Sequence, residues 1–206
     1  MTSFSEMPVA RLLDALASPN PTPGGGTASA IAGALGTSVL VMVASLAKSK
    51  NNTDEEKAAL AQARAVLVPL TARLTELADA DAQAFDRVMA AYRLPKTSDD
   101  EKAARTRAIQ SALQGATVVP LDTLRACAHA LAPARVVAEH GNASAASDAG
   151  VAIGLLRAAA AGADANVQIN LEGIKDEAFK TSTGAEASRL SAAAAADAAT
   201  AMRWVA

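Results

Sequence analysis

Cysteine and aromatic residues are both scarce in this 206-residue sequence, and each shortage excludes a class of protein. The single cysteine, Cys127, excludes an internal disulfide and a cysteine-rich metal framework. Aromatic residues make up 2% of the chain and β-branched runs are short, which disfavours a strand-based fold. Roughly a quarter of the residues are alanine, the best helix former. The sequence therefore predicts an all-α fold.

A basic surface is also missing. The formal net charge is −2 at pH 7, and no cluster of lysine and arginine with interleaved aromatic residues is present. Electrostatic capture of nucleic acid is therefore not expected. Residues 1–18 carry charges where a signal peptide needs an apolar stretch. We expect a cytoplasmic protein that does not bind nucleic acid.

The length of the chain fits one domain, residues 1–206. Proline, glycine and asparagine separate stretches with helical periodicity, which predicts one bundle of six to eight helices. The expected helices cover residues 6–17, 27–48, 53–92, 99–117, a further helix to 139, 144–168 and 175–203. Thr53 and Ser98 each precede a glutamate by three positions, which is a capping-box pattern. Pro69 and Pro120 are expected to kink or divide their helices, and Gly141 is expected to act as a glycine C-cap.

Residues 24–47 form an uncharged segment that is long enough to span a bilayer. About half of it consists of Gly, Ala, Ser and Thr, and no aromatic belt flanks it. These small residues favour a helix buried at the centre of a soluble bundle. A membrane span is the alternative.

A glycine loop, Pro23-Gly24-Gly25-Gly26, precedes this helix. Helix N-termini expose unpaired N–H groups that attract anions, and three glycines let a ligand approach the backbone closely. The loop lacks the Gly-Lys-Ser/Thr ending of a nucleotide P-loop, so ATP binding is not expected. It is either part of a binding site or a flexible connection between helices.

One aspartate lies on the apolar face of a predicted helix. Asp81, Phe85, Val88 and Tyr92 share this face at spacings of four, seven and eleven. Asp81 is therefore buried with a partner, lines a cleft, or sits solvated at the edge of the face. Burial would raise its pKa and suit it to acid–base chemistry. Lys96, on the proline-stiffened loop that follows, either meets a carboxylate or caps the preceding helix.

A further polar group lies in the C-terminal half. Asn142 and Asp148 interrupt apolar helices, and Asn166 and Asn170 share one helix face. Asp148 and Asn166 are five turns apart, or about 27 Å on one helix. Within one chain they cannot contact the same reacting carbon. Either the ligand is elongated, or two subunits build the site.

Neither histidine indicates a site. His129 and Cys127 are two positions apart on a predicted helix and point in different directions. His140 stands near a helix end, where it is expected to cap. No metal-ligand spacing and no Ser-His-Asp order is present, so we expect no bound metal.

In chain order, five segments resemble one family of folate enzymes. The segments are residues 23–26 with the small-residue helix that follows, 81–85, 94–96, 141–152 and 166–171. Together they resemble the methenyltetrahydrofolate cyclohydrolase / formiminotetrahydrofolate cyclodeaminase family through nearly the whole chain. Residues 91–96, continuing into 100–105, are similar to the stand-alone cyclohydrolases of methylotrophic bacteria.

The resemblance implies a homodimeric helical fold, a tetrahydrofolate substrate, and no metal or cofactor. The sequence contains no fused formiminotransferase domain, which favours hydrolysis of 5,10-methenyltetrahydrofolate to 10-formyltetrahydrofolate. The expected catalytic residues are Asp81 as base or electrostatic partner, Asp148, and Lys50, which matches a family lysine. The expected substrate-binding residues are Gly24, Gly25, Gly26, Tyr92, Lys96, Asn142, Asn166 and Asn170.

The sequence departs from the family pattern after the buried helix. Ser45, Ala47 and Thr53 occupy positions where the family commonly has Asn, Thr and Tyr. Two alternatives to the cyclohydrolase follow. One is a cyclodeaminase that releases ammonia from formiminotetrahydrofolate. The other is a catalytically lapsed paralogue that binds folate or only dimerises.

Overall fold

The computed structural model describes residues 3–46 and 52–205. Within these ranges it contains no strand, so the all-α prediction is confirmed. Seven α-helices and one 3₁₀ turn are present, in agreement with the expected six to eight helices. The helices are α1 Val9–Leu16, α2 Gly25–Ser45, α3 Asp54–Tyr92, α4 Asp99–Leu131, α5 Ala134–His140, α6 Ala146–Leu171 and α7 Glu177–Met202, and the 3₁₀ turn is Ala143–Ala145.

Neither internal proline ends its helix. Helix α3 runs through Pro69, and α4 continues through Pro120 to Leu131, well past the expected end near residue 117. The neighbouring Leu67 and Leu121 are buried in the core. A proline removes one backbone hydrogen bond from a helix, and burial of these leucines outweighs that loss. Of the two expected effects, division of the helices is therefore wrong, and a kink at either proline stays a prediction.

Both predicted capping boxes are present. Thr53 Oγ1 accepts a hydrogen bond from the Glu56 N–H at 3.2 Å, and Ser98 Oγ accepts one from the Glu101 N–H at 3.2 Å. Gly141 follows α5 as expected, but its φ of −65° is not the left-handed conformation of a glycine C-cap. A Cβ there would instead overlap the carbonyl oxygen of Val137. A glycine is therefore needed here because the backbone at position 141 approaches the Val137 carbonyl closely.

Helix α2 lies between α3 and α6 at the centre of the bundle, as predicted for the Ala/Gly-rich helix. A Cβ on Gly33 would lie 3.0 Å from Cys127 Sγ, and one on Gly36 would lie 2.8 Å from the Ala152 carbonyl oxygen. Both glycines therefore allow neighbouring helices to approach. The same packing buries Cys127 and raises the pKa of its thiol to about 12, which makes it a poor nucleophile.

Helices α2 and α6 are antiparallel. The start of α2 meets the end of α6, because a Cβ on Gly25 would lie 3.8 Å from Asn166 Nδ2. Further along α2, Gly36 meets Ala152 near the start of α6. The polar residues predicted on α6 are therefore divided between the two ends of the α2/α6 pair.

Helix α2 satisfies the length and composition criteria for a membrane span, with a mean hydropathy of 1.8. Nine of its residues are nevertheless buried inside the bundle, against α3 and α6. This packing favours the core-helix interpretation over the membrane alternative.

An ion-pair network connects α3, α4 and α7. Asp122 accepts from Arg73 at 2.8 Å and from Arg125 at 2.7 Å. Arg125 also binds both carboxylate oxygens of Glu186, at 2.8 and 2.6 Å. Two arginines thus connect three helices.

Replacing Arg125 with alanine is expected to lower the free energy of unfolding by on the order of 1 kcal/mol, since several charges share this network. Chemical denaturation measures the change. Lys102→Ala is the matched control, because Lys102 makes one exposed pair with Asp99 on the same helix. Equal effects of the two substitutions would contradict a stabilising role for the network.

Candidate active site

A pocket of about 310 Å³ opens where the start of α2 meets α3, α4 and the end of α6. It gathers residues from four helices and from the glycine loop. Its lining is Pro21, Thr22, Gly24, Gly25, Gly26, Asp81, Ala84, Phe85, Val88, Leu113, Ala116, Asn166 and Asn170. Six of the residues predicted for the site therefore lie together: the three glycines, the aspartate and both asparagines of α6.

The carboxylate of Asp81 lies directly against the first turn of α2. A Cβ on Gly26 would lie 2.5 Å from Asp81 Cγ and 2.6 Å from Oδ2. No side chain fits at this position without moving the carboxylate. The glycine loop therefore allows the backbone at Gly26 to approach the Asp81 carboxylate closely. This places the carboxylate near the exposed N–H groups at the start of α2.

Thr27, the residue after the glycines, holds Asp81 in place. Its hydroxyl lies 3.1 Å from Asp81 Oδ2 and 3.3 Å from the carbonyl oxygen of Ala78. Burial raises the pKa of Asp81, and hydrogen bonds from the Thr27 hydroxyl and backbone N–H oppose that rise. Sequence reasoning missed Thr27, although a threonine directly after a glycine loop at a helix start was a usable signal.

Asn166 and Asn170 present their amide groups to the pocket in a defined orientation. Asn166 Nδ2 donates to the carbonyl oxygen of Gly162 at 2.8 Å, and Asn170 Nδ2 donates to that of Ala116 at 2.9 Å. Only the NH₂ group of an amide can donate to a carbonyl, so these bonds fix which atom is the oxygen. Each Oδ1 is left as an acceptor for a ligand.

Phe85, Val88 and Leu113 form the apolar part of the pocket wall. Phe85 and Val88 follow Asp81 by four and seven positions, so the predicted shared face of α3 is confirmed as far as Val88. An apolar wall beside a few polar groups is typical of a small-molecule site.

Comparison with known proteins identifies the family. A family profile described as formiminotransferase-cyclodeaminase matches residues 8–189. The chain belongs to the formiminotransferase-cyclodeaminase family. All of the pocket lining lies within the matched residues.

Several relatives of this cyclodeaminase-family chain have known activities or structures. A methenyltetrahydrofolate cyclohydrolase of Methylorubrum extorquens is 45% identical over 125 residues, which are 61% of this chain and 60% of that protein. The formimidoyltransferase-cyclodeaminase of Gallus gallus is 38% identical over 62% of this chain and 24% of its own length. The matches thus span less than two thirds of each of these relatives.

The fold is also that of a solved family member. The crystal structure of formiminotetrahydrofolate cyclodeaminase from Thermotoga maritima aligns with a TM-score of 0.85 and 28% sequence identity. The alignment covers 97% of this chain and 96% of that one. The bundle described above is therefore the fold of that protein.

Tyr92 and Lys96 of this chain lie outside the pocket. Tyr92 is 47% exposed, and about 16 Å of helix separates it from Asp81, which explains why a shared face does not bring it to the pocket. Its carbonyl accepts hydrogen bonds from Arg105, whose guanidinium carbon also lies 5.7 Å from the centre of the Tyr92 ring. Arg105, and not Lys96, therefore caps α3. Lys96 is exposed on the following loop.

Asp148 and Asn142 lie at the other end of α6. Helix α6 is continuous from Ala146 to Leu171, so the predicted distance of about 27 Å between Asp148 and Asn166 stands. Asp148 is exposed in the first turn. Asn142 Oδ1 accepts from the Ser144 N–H at 2.9 Å and caps the 3₁₀ turn. Within one chain, neither reaches the pocket.

Two of the three departures from the family pattern, Ser45 and Thr53, also lie away from the pocket. Ser45, at the last position of α2, accepts a hydrogen bond from Arg64 Nε at 2.9 Å. Thr53 caps α3. Ala47 and Lys50 are outside the described residues, so the predicted role of Lys50 stays a prediction.

No three His, Cys, Asp or Glu side chains come together as a metal site within residues 3–46 and 52–205. In the pocket the polar side chains are one carboxylate, two amides and the hydroxyl of Thr22. The chemistry that this set supports is proton transfer and electrostatic stabilisation of a cation.

Proposed function

We propose that this protein hydrolyses 5,10-methenyltetrahydrofolate to 10-formyltetrahydrofolate. The observation that carries the proposal is the partly desolvated carboxylate of Asp81, held by Thr27 over Gly26 at the edge of the pocket. The 45% identity to the M. extorquens cyclohydrolase supports this reaction over others. We expect no cofactor or metal, and the folate is the substrate.

The substrate carries its positive charge on an amidinium carbon between N5 and N10. A carboxylate in a low-dielectric pocket stabilises such a cation more strongly than one in water. We assign this role to Asp81, with the ring system against Phe85 and Val88. The Oδ1 atoms of Asn166 and Asn170 are suited to accept hydrogen bonds from the N–H edge of the pterin.

Asp81 is also the base for the attacking water. It removes one proton as the water oxygen bonds to the amidinium carbon, which gives a neutral tetrahedral adduct. The bond from that carbon to N5 then breaks as N5 takes up the proton held by Asp81, and the hydroxyl of the adduct loses its proton, so that the carbon remains on N10 as a formyl group. One water is consumed and one proton is released. The raised pKa of Asp81 makes the carboxylate more basic for this step.

Thr27→Val is expected to shift the acid limb of the pH–kcat/KM profile to higher pH. The Thr27 hydroxyl stabilises the ionised form of Asp81, so its loss raises the pKa of that carboxyl further. Valine keeps the shape of threonine, and steady-state rates across pH measure the shift. Thr123→Val, a buried threonine that donates within α4, is the control. An unmoved acid limb would show that Asp81 does not titrate in this profile.

The test of the proposed function is the loss of the methenyl chromophore with purified protein, corrected for spontaneous hydrolysis. A rate well above background supports the cyclohydrolase. Cyclodeamination passes through a similar tetrahedral carbon with ammonia leaving, so the same pocket suits it chemically. Ammonia release from formiminotetrahydrofolate without methenyl hydrolysis would favour the cyclodeaminase. Folate binding without either reaction would indicate a lapsed paralogue.

We also propose that the protein is a cytoplasmic homodimer. The resemblance to a dimeric family supports the homodimer, and the packing of α2 inside the bundle supports a location outside the membrane. Sedimentation of the purified protein and fractionation of expressing cells test the two parts separately.

A further inference from the structure

Pro120 lies inside α4, and the carbonyl that it leaves without a helical partner belongs to the pocket wall. In an α-helix each backbone carbonyl accepts a hydrogen bond from the N–H of the residue four positions further along. For the carbonyl of Ala116 that residue is Pro120, whose backbone nitrogen carries no hydrogen. The Ala116 carbonyl therefore lacks its usual donor within α4.

The side chain of Asn170 supplies a donor from another helix. Its Nδ2 atom donates to the Ala116 carbonyl oxygen at 2.9 Å, although the two residues are 54 positions apart in the sequence. Ala116 is partly buried, and a buried carbonyl without a hydrogen bond costs free energy. The amide of Asn170 thus satisfies the acceptor that Pro120 leaves open.

Asn170 donates to this carbonyl although its own helix offers a nearer one. Asn166, one turn earlier on α6, donates to the carbonyl four positions back in the same helix, that of Gly162. The equivalent carbonyl for Asn170 is that of Asn166, yet its Nδ2 donates to α4. A carbonyl inside a helix already accepts from a backbone N–H, whereas both lone pairs of the Ala116 oxygen are open to Asn170. The missing N–H of Pro120 therefore explains this choice of acceptor.

The bond to Ala116 determines which atom of the Asn170 amide a ligand meets. Rotation of an amide by half a turn exchanges its oxygen and its NH₂ group. Here rotation would place Oδ1 against the Ala116 oxygen, where two acceptors face each other. With Nδ2 held on α4, Oδ1 is left for the ligand. The site therefore selects a ligand that presents an N–H group to Asn170.

We propose that Pro120 is a positioning residue for substrate binding. Because it brings no N–H to the Ala116 carbonyl, it leaves that carbonyl to Asn170 and fixes the Asn170 oxygen as an acceptor for the N–H edge of the pterin. Pro120 acts through Asn170, since it is buried in α4 and does not line the pocket itself. The inference rests on the proposed function for the identity of the substrate, but the orientation of the amide is measurable without substrate.

Pro120→Ala is expected to raise KM for methenyl hydrolysis by about three- to tenfold, the effect of weakening one neutral hydrogen bond. The alanine N–H occupies the Ala116 carbonyl, so the Asn170 amide loses its fixed orientation. We expect kcat to change by less than about twofold, since Asn170 contacts the pterin equally in the ground state and the transition state. Steady-state kinetics measure both constants. An unchanged KM overturns the proposal.

Pro69→Ala is the matched control, because Pro69 also lies inside a long helix, α3. It leaves the Ala65 carbonyl without a helical donor. Pro69 and Ala65 are both exposed and neither lines the pocket. This variant is expected to keep the wild-type KM. Equal rises in KM for Pro69→Ala and Pro120→Ala would show an effect of helix stiffness and would overturn the proposal.

A double-mutant cycle tests whether Pro120 acts through Asn170. Asn170→Ala alone is expected to raise KM at least as much as Pro120→Ala does. Adding Pro120→Ala to Asn170→Ala is expected to raise KM no further, because the two residues belong to one interaction. Effects that multiply would overturn the proposal. An Asn170→Ala protein with the wild-type KM would also overturn it, whether or not Pro120→Ala folds.

Lactic acid at position 120 separates the missing N–H from the proline ring. It is the α-hydroxy analogue of alanine, so it has the alanine methyl group and forms an ester without an N–H. This protein is expected to have the wild-type KM, whereas Pro120→Ala is not. If lactic acid and alanine raise KM equally, the ring is the feature that matters, and the proposal is overturned.

Hydrogen exchange of the Asn170 side-chain NH₂ group, followed by NMR, measures the orientation without substrate. Asn170→Asp removes this group and so identifies its resonance. The NH₂ group is expected to exchange more slowly in wild type than in Pro120→Ala, because the bond to Ala116 protects it. Equal exchange in the two proteins overturns the proposal. A protected NH₂ group in a wild type that shows no methenyl hydrolysis would instead count against the proposed function alone.

Discussion

Asp81→Asn is expected to reduce kcat/KM for methenyl hydrolysis by at least about 100-fold while making the folded protein more stable at neutral pH. Loss of a general base costs about 10²–10⁴ in rate, and this substitution also removes the negative charge facing the cation. Asparagine keeps the size of the side chain and an oxygen that accepts from Thr27. The pocket should therefore remain intact.

The gain in stability follows from the sign of the pKa shift. Burial raises the pKa of Asp81 in the folded state, so the folded protein binds this proton more tightly than the unfolded chain does. The contribution of the protonated Asp81 side chain to the free energy of unfolding is fully present below the unfolded pKa of 3.8. It is lost as the pH rises through the pKa of the folded state. At neutral pH the ionised carboxylate opposes folding. Asparagine has no such charge.

Asp79 provides the matched control, because its pKa is shifted in the opposite direction. Burial acts to raise the pKa of Asp79, but hydrogen bonds from Ser3, Ser5 and the Phe4 N–H outweigh it and lower the pKa. Asp79 therefore stabilises the fold above its unfolded pKa, and the contribution is lost as the pH falls through the folded value. Asp79→Asn is expected to lose stability at neutral pH and to keep its activity.

Thermal unfolding at several pH values and steady-state hydrolysis compare the two variants. An active Asp81→Asn protein would contradict the proposed mechanism. An inactive variant that is also less stable than wild type at neutral pH would contradict the assignment of a desolvated carboxylate.

Gly26→Ala is expected to lower activity about tenfold or more and to destabilise the fold by about 1–3 kcal/mol. The new Cβ would lie 2.5 Å from Asp81 Cγ, so the carboxylate has to leave its position over the start of α2. It would then lose its hydrogen bonds to Thr27, and the substrate cation would lose its closest negative charge. Activity and chemical denaturation measure the two effects.

Gly184→Ala is the control for this substitution. A Cβ on Gly184, inside α7, would make an ordinary contact at 3.6 Å from Leu171 Cδ1. Alanine should therefore be neutral or stabilise α7, since it is the better helix former. A Gly26→Ala protein that behaves like Gly184→Ala would show that the carboxylate does not need its observed position.

Much of the local structure could be predicted from the sequence, because it depends on interactions over three or four residues. The capping boxes at Thr53 and Ser98 and the shared face of Asp81, Phe85 and Val88 follow from helix geometry alone. The same geometry predicts that Asp148 and Asn166 cannot meet within one chain. The family resemblance also predicted that segments far apart in the chain contribute to one site, which interactions between neighbouring residues cannot predict.

Other features were decided only by tertiary packing. Pro69 and Pro120 remain inside continuous helices because burial of the neighbouring leucines outweighs one lost backbone hydrogen bond. The sequence left Asp81 as buried, cleft-lining or solvated, and its position was decided by the first turn of α2 packing against α3.

The sequence by itself therefore determined an all-helical chain and the spacing of polar residues along each helix, since both depend on neighbours in the chain. Tertiary structure decided which helix ends meet. It joined Gly26 and Thr27 to Asp81, and Asn166 to Gly25, because antiparallel packing of α2 on α6 brings together residues far apart in the chain. Those distances depend on how small side chains allow whole helices to approach, and no local pattern encodes that.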